Sequence, residues 1–512
     1  MLAKVESAAV VGLTGVPITV EVDVSGGGLP GLHMVGLPDP TIREAKERLR
    51  SAIRNSAFAW PASRITVNLA PADVRKEGSA FDLPMAVGVL AASGQFPAAA
   101  LERTVLLGEL ALDGQVRGLP GILPVALSLS GRGKRLLVPA ANAAEAALAP
   151  ELTVVPMRDL AQAVRFLQGL EPADPVAEPD VSPAGPFSFV DYAEVRGQGA
   201  ARRALEVAAA GGHNLLLIGP PGVGKTMLVE RLPTILPPMS PAESLEVTMI
   251  HSAAGLLPSG FSQITGRPFR HPHHTASAPA LIGGGTIPRP GEVSLAHHGV
   301  LFLDELPEFD RAALEGLRQP LEAGRVTVVR TQGSCTFPAR VMLVAAMNPC
   351  PCGFAGDPRR GCVCTPSQFI KYRSKMSGPL LDRIDLQLEV PAVRWEEMTA
   401  AGGGESSAAI RSRVEQARRV QRERFKAEPG CFVNGQMSHR QVRRFCRLTA
   451  EGREILGRAV ERLGLSARAH DRVLRVARTI ADLEGTAEIE PDHLAEAVQY
   501  RCLDRPVIES NG

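Results

Sequence analysis

Three stretches of the chain are apolar without alternation: NLLLIG (214–219), the VLFL of GVLFLDELPEF (299–309), and VMLVAAMN (341–348). Short apolar runs that end in glycines or polar residues predict strands buried on both faces. The first run passes into GPPGVGKT (219–226) and then TMLVERL, whose pattern is helical. By contrast, GRVTVVRTQGSCTFPARVMLV (324–344) alternates on both sides of QGS, which predicts a β-hairpin. The opening MLAKVESAAVVGLTGVPITVEVDV also reads as strands. Glu6, Glu21 and Asp23 interrupt its apolar character, and no run approaches the roughly 20 residues of a membrane span.

Two breaks divide this pattern. Residues 171–186, EPADPVAEPDVSPAGP, hold five prolines, four acids and no base, so they cannot bury an apolar face and predict an extended linker. At AGGGESSA (401–408) the chain turns helical and arginine-rich. The expected organisation is a domain over 1–170, the linker at 171–186, an α/β core over 187–395 and a helical domain over 396–512.

Composition narrows the class. At 512 residues and 45% apolar content the chain needs several cores. The net charge of +2 excludes a uniformly polybasic nucleic-acid binder, yet residues 411–480 hold 18 Lys/Arg against 7 Asp/Glu, an excess of 18 − 7 = +11. Such a segment neutralises phosphates without reading sequence, or else is a solvated helix face with ATP-sensing arginines. Aromatic residues at 4% argue against base-stacking modules. Eight cysteines are too few for a disulfide scaffold and fit a reducing, cytoplasmic setting.

The chemistry concentrates at the ends of the three apolar strands. Gly219, Pro220, Pro221, Gly222, Val223, Gly224, Lys225, Thr226 and Met227 form a strand, loop and helix phosphate cradle. Its backbone N–H groups curl around phosphates, Lys225 reaches the β/γ-phosphates and Thr226 offers a hydroxyl to Mg²⁺. Asp304 is expected to hold Mg²⁺ through water, Glu305 to polarise the attacking water, and Asn348 to sense the γ-phosphate. ATP and Mg²⁺ are the implied cofactors. His271, His273, His274, His297 and His298 lack clean metal-ligand spacing and are expected to serve loop packing and hydrogen bonding.

GPPGVGKT, RPGEVSLAHHGVLFLDELPEF, NPCPCG and SGPLLDRIDL together resemble the magnesium-chelatase-like AAA+ proteins, most closely the ComM/YifB family, over nearly the whole chain. The resemblance implies a Lon-protease-like (S5-type α+β) N-terminal domain, an AAA+ P-loop αβα core with a helix-2 insert, and a helical lid of the magnesium-chelatase C-terminal type. It also implies a hexameric ring acting as a DNA helicase that drives branch migration in natural transformation and recombination, with recombinase-associated partners. On that basis Arg383 resembles an arginine finger reaching a neighbouring subunit; the alternative is a surface salt bridge with Asp382 or Asp385. Arg468 resembles the lid's sensor arginine, with Arg472 and Arg475 as alternatives. The insert over 259–294 and the hairpin at 324–344 are the expected pore elements. Arg267, Arg270, Arg289 and Arg330 are the candidate DNA contacts. In the N-terminal domain the resemblance carries no catalytic dyad: Ala80 stands at the serine position and Val125 or its neighbours at the lysine position. Ser79 lies one residue away, but no lysine occurs from Pro120 to Ser130.

Half of the cysteines fall in NPCPCGFAGDPRRGCVCT (348–365), as Cys350/Cys352 and Cys362/Cys364. Four thiolates at this spacing suit one tetrahedral Zn²⁺, against redox pairing and simple packing. A zinc clamp there would fix a long loop directly after Asn348. Three functions compete: a DNA motor, a motor subunit of a metal chelatase, and an ATP-dependent unfoldase or protease. The missing dyad weighs against a protease. The Lon-like domain, the NPCPCG loop and the lack of an integrin-type metal-binding domain weigh against the chelatase.

Overall fold

The structure, a computed structural model, describes all residues except 27–28, 37–38, 75, 77, 177–189, 258–262, 286–287, 331–332, 358–359, 394–396, 398–403, 429 and 505–512. The chain divides into two units: Met1–Pro183 with Ser240–Thr265, and Ala184–Met239 with Gly266–Gly512.

In the first unit alternation does the work. Ile18, Val20 and Val22 are buried, and the residues between them face outward at least in part. The strands are β1 (Leu2–Val11), β2 (Thr14–Ser25), β3 (Gly31–Val35), β4 (Arg64–Ala70), β5 (Thr104–Leu106), β6 (Arg135–Pro139) and β7 (Thr153–Met157). They form a seven-stranded sheet in the order β3-β4-β2-β1-β5-β6-β7. The pairings β1 with β2 and β2 with β4 are antiparallel, and the others are parallel. Helix α1 (Pro40–Asn55) is capped by Asp39, and α2 (Asp82–Ala92) is buried along its whole length. The all-round apolar sequence of α2 suits a core helix.

Two expectations change here. Glu171 and Asp174, read as linker, pair with Arg165 (2.6 Å) and Arg158 (2.9 Å), so the first unit continues past residue 170; residues 177–186 lie outside the described ones. The helix Pro241–Ala254, read as part of the 187–395 core, groups instead with the first unit. A capping box at Ser240 starts it, Val247 and Ile250 are fully buried, and Ser252 O accepts from Gly121 N at 2.8 Å, at the start of α3 (Ile122–Leu129). In the same unit the Ser79 hydroxyl is bonded to Glu109, and the buried Lys76 ammonium donates to the Pro71 and Gly36 carbonyls.

In the second unit the three apolar runs become the centre of a parallel sheet. Its strands are β8 (Leu215–Ile218), β9 (Phe269–Arg270), β10 (Val300–Leu303), β11 (Met342–Met347) and β12 (Leu386–Glu389), in the order β9-β10-β11-β8-β12. All four neighbouring pairs are parallel, and every residue of β8, β10 and β11 is buried. The alternating stretch forms its own hairpin, Arg325–Arg330 with Gly333–Pro338, with Val326, Val328 and Phe337 buried; of the expected QGS turn, Gly333 and Ser334 lie in the second strand, while residues 331–332 lie outside the described ones.

The C-terminal helices α4 (Ser407–Arg424), α5 (Ala450–Leu463), α6 (Ala467–Glu484) and α7 (Pro491–Gln499) share one apolar core with this sheet. Much of the local arginine excess is spent inside that packing. Arg413 pairs with Glu206 and Glu405, Arg424 and Arg478 with Asp482, and Arg472 with Asp385, while Arg418 caps Ala209 O. Among the described residues, no helix is long and apolar enough to cross a membrane.

Candidate nucleotide site

Register decides which side chains meet. Ile218 pairs with Met347 and Leu303 with Ala345, so Gly219, Asp304 and Asn348 leave the same edge of the sheet. Gly219 N donates to Met347 O at 3.1 Å, which fixes the start of the loop. A Cβ at Gly219 would lie 2.4 Å from Val390 O, so the turn accepts glycine alone. Gly222 (φ 80°) and Gly224 (φ 89°) sit in left-handed backbone that returns the chain into the helix Lys225–Glu230.

Within this frame Lys225 Nζ donates to Gly219 O (2.6 Å), Pro220 O (2.9 Å) and Asn348 Oδ1 (3.3 Å). Burial pulls its ammonium below the ordinary lysine range, and the charges of Asp304 and Glu305 oppose that pull. Thr226 Oγ1 donates to Asp304 Oδ2 at 2.7 Å, and Asp304 Oδ1 accepts from Glu305 N at 2.9 Å. Glu305 has φ 53°, a strained conformation for a non-glycine residue, and its carboxylate lies 3.2 Å from His274 Nδ1. A hydroxyl and a carboxylate this close are hard oxygen donors of the kind Mg²⁺ takes. The Cα face of Gly222 is open, with nothing within 4 Å of where a Cβ would stand.

The structure therefore brings Lys225, Thr226, Asp304, Glu305 and Asn348 together. It adds two residues the sequence reading had not given a role there. His274, expected to serve loop packing and hydrogen bonding, meets Glu305. Tyr372 is buried beside Asn348; burial, reinforced by the charge of Glu308, pushes its phenol up to about 12. Neither had a local signal beyond residue type, because both partners are distant in sequence.

The arginines separate into groups. Arg383 pairs with Glu322 and donates to Pro379 O at 2.6 Å, so its salt-bridge partner is neither Asp382 nor Asp385. Arg468 is exposed and lies 3.7 Å from Asp382; Arg472 is buried against Asp385 at 3.4 Å; Arg475 donates to Gly435 O. Of the candidate DNA contacts, Arg267 is used on the carbonyls of Pro237, Pro238 and His298, and Arg270 is bidentate to Glu292 (2.6 and 2.8 Å). Arg267 thus ties its segment to Pro237 and Pro238 as well as to His298, and Arg270 is held by Glu292. Arg289 is exposed, and the Arg330 side chain lies outside the described residues.

The four loop cysteines converge. Their sulfurs all lie within 4.8 Å of one another, with Cys350 buried and Cys362 exposed, and none is in a disulfide.

A five-stranded parallel sheet with a glycine-rich phosphate loop after β8 and two carboxylates after β10, the strand on the far side of β11, defines a magnesium-chelatase-like AAA+ fold. Residues 191–398 match the family described as "Magnesium chelatase, subunit ChlI", 20–142 "Subunit ChlI of Mg-chelatase", and 404–501 "Magnesium chelatase, subunit ChlI C-terminal". The chain is 47% identical over 511 residues to the protein YifB of Salmonella typhimurium, covering 99% of this chain and 98% of that one. It is 45% identical over 509 residues to the Competence protein ComM of Haemophilus influenzae, covering 98% of each. A more distant likeness, 25% over 225 residues, spans 44% of this chain and 46% of the chloroplastic magnesium-chelatase subunit ChlI of Nicotiana tabacum. The chain belongs to the ComM/YifB family of magnesium-chelatase-like proteins.

Proposed function

We propose that this protein is an ATP-hydrolysing motor that assembles as a hexameric ring and moves branch points in DNA during recombination and natural transformation. The observation that carries the ATPase reading is the meeting of Lys225, Thr226, Asp304, Glu305 and Asn348 at one sheet edge. Lys225 carries positive charge to the phosphates, and Thr226 with Asp304 holds Mg²⁺. When bound, Mg²⁺ neutralises phosphate charge. Glu305, held by His274, accepts the proton of the attacking water, and Asn348 orients the terminal phosphate. Arg383 acts from a neighbouring subunit, and Arg468 or Arg472 carries lid closure to the nucleotide.

The DNA half of the reading is supported by the 45% identity to a protein named for competence, by exposed Arg289, and by the exposed basic residues of 411–480 that internal pairing leaves over, among them Arg419, Arg440 and Arg443. The first unit then acts as a Lon-like scaffold without a dyad, consistent with Ser79 being engaged by Glu109.

The test is ATP-dependent migration of a synthetic four-way or three-strand DNA junction, with Lys225→Ala as control. Migration by the wild type and none by the variant supports the proposal. A second reading, a chelatase-type motor, draws on the likeness to the tobacco subunit. It gains if the protein hydrolyses ATP and forms rings but neither moves junctions nor responds to DNA.

A further inference from the structure

We infer that Cys350, Cys352, Cys362 and Cys364 form a tetrathiolate site for a soft divalent metal of the zinc class, and that this metal braces the nucleotide-site strand end against the phosphate loop. In a tetrahedral ZnS₄ unit with Zn–S near 2.3 Å, sulfurs stand about 3.8 Å apart. The Cys350–Cys352 sulfurs are 3.3 Å apart, and Cys350–Cys362 and Cys352–Cys362 are both 3.6 Å. A disulfide would need roughly 2.0 Å, so the sulfurs cluster without pairing.

A second observation comes from the backbone. Ala355 N donates to Cys350 Sγ (3.3 Å), Cys352 N to Cys364 Sγ (3.3 Å) and Cys364 N to Cys362 Sγ (3.4 Å). N–H groups aimed at sulfur stabilise thiolates and fix ligand orientation, the outer-shell support that metal thiolates require. On loading, four S–H bonds break and four protons pass to solvent as four metal–sulfur bonds form. The site then carries a net charge of −2, which these N–H donors partly offset. Sulfur ligands alone exclude Mg²⁺ and Ca²⁺ and favour zinc-class ions.

Position gives the site its consequence. Cys350 follows Asn348 by two residues, and Cys364 precedes Thr365, whose capping box starts the helix Pro366–Ser374. The metal therefore ties the end of β11 to the start of the helix Pro366–Ser374. Between the ligands, Gly353 (φ 88°) comes so close to the phosphate loop that a Cβ there would stand 2.8 Å from Pro221 Cδ. Fixing the loop fixes the wall against which Pro221 rests.

The test uses the full chain, purified without chelator. Elemental analysis is expected to find about one zinc per chain, lost in the double variant Cys352→Ser, Cys364→Ser. Cobalt(II) exchanged into the wild type is expected to show the intense visible bands and near-ultraviolet sulfur charge transfer of tetrahedral thiolate coordination. That readout holds even where the variant fails to fold. Absence of stoichiometric zinc together with an octahedral cobalt spectrum overturns the site. Amide exchange of residues 348–365 and 222–224 is expected to quicken about tenfold or more when the metal is stripped. Unchanged exchange overturns the bracing role. Neither readout requires ATP hydrolysis or DNA, so failure here and failure of the motor reading are separable.

Discussion

Glu305 holds the costliest backbone conformation of the site, and its strain is offset by what it positions. A left-handed non-glycine residue costs about 1–2 kcal/mol. In return its N–H donates to Asp304 Oδ1 while its carboxylate meets His274. Glu305→Gln is expected to lower kcat by about 10²–10⁴ with nucleotide binding retained, read by steady-state ATPase assay alongside binding of a fluorescent nucleotide. A second buried cluster carries stability instead. Burial alone would push the Asp385 carboxyl up, but the hydrogen bond with His213 and the charges of Arg475 and Arg472 outweigh it and hold it below the usual carboxylate range. A carboxyl depressed in the folded state stabilises above its unfolded value, near 3.9, and that contribution is lost as pH falls through the folded value. Asp385→Ala is therefore expected to cost about 3–5 kcal/mol at pH 7 in denaturant titration, with the gap to wild type closing in acid. At this scale the sequence disclosed what is local. Lys225 and Thr226 follow from spacing within one loop. The Arg383–Glu322 pair, 61 residues apart, and the His274 and Tyr372 contacts follow from packing that no local pattern records.

Among the elements, β8, β10 and β11 were legible because central parallel strands lose the alternation that a half-exposed strand keeps. β9, with two residues, has no period to read. It exists because Gly299 lets Val300 N reach Pro268 O at 2.8 Å. A Cβ at Gly299 would stand 1.9 Å from that same oxygen. Gly299→Ala is expected to separate β9 from β10 and cost about 1–3 kcal/mol, measured as a lowered thermal midpoint. The helical C-terminal region was legible as helices, but not in how its arginines are spent. Charge counting registers eighteen cations and cannot tell Arg424, closed on Asp482, from Arg440, which is exposed. Accordingly, Arg440→Ala with Arg443→Ala is expected to reduce the salt dependence of DNA binding by about one unit of slope per residue, with the fold intact.

For the whole molecule, the motor reading makes hydrolysis a property of the assembly. Arg383→Ala is expected to cut ATPase activity by about 10³ or more while nucleotide still binds. Mixing it with Lys225→Ala should restore part of the activity, because each variant supplies what the other lacks at a shared site. Activity surviving in Arg383→Ala alone would remove the finger. The helix Pro241–Ala254 sets a different kind of limit. It is encoded between the phosphate loop and β9, yet it groups with the first unit, with Val247 and Ile250 buried. A fragment beginning after residue 183 would carry that helix into water with its apolar side bare, and a fragment ending there would lack it. Cutting the chain at residue 183 is therefore expected to leave neither fragment with a complete fold, which separate expression of the two pieces would check.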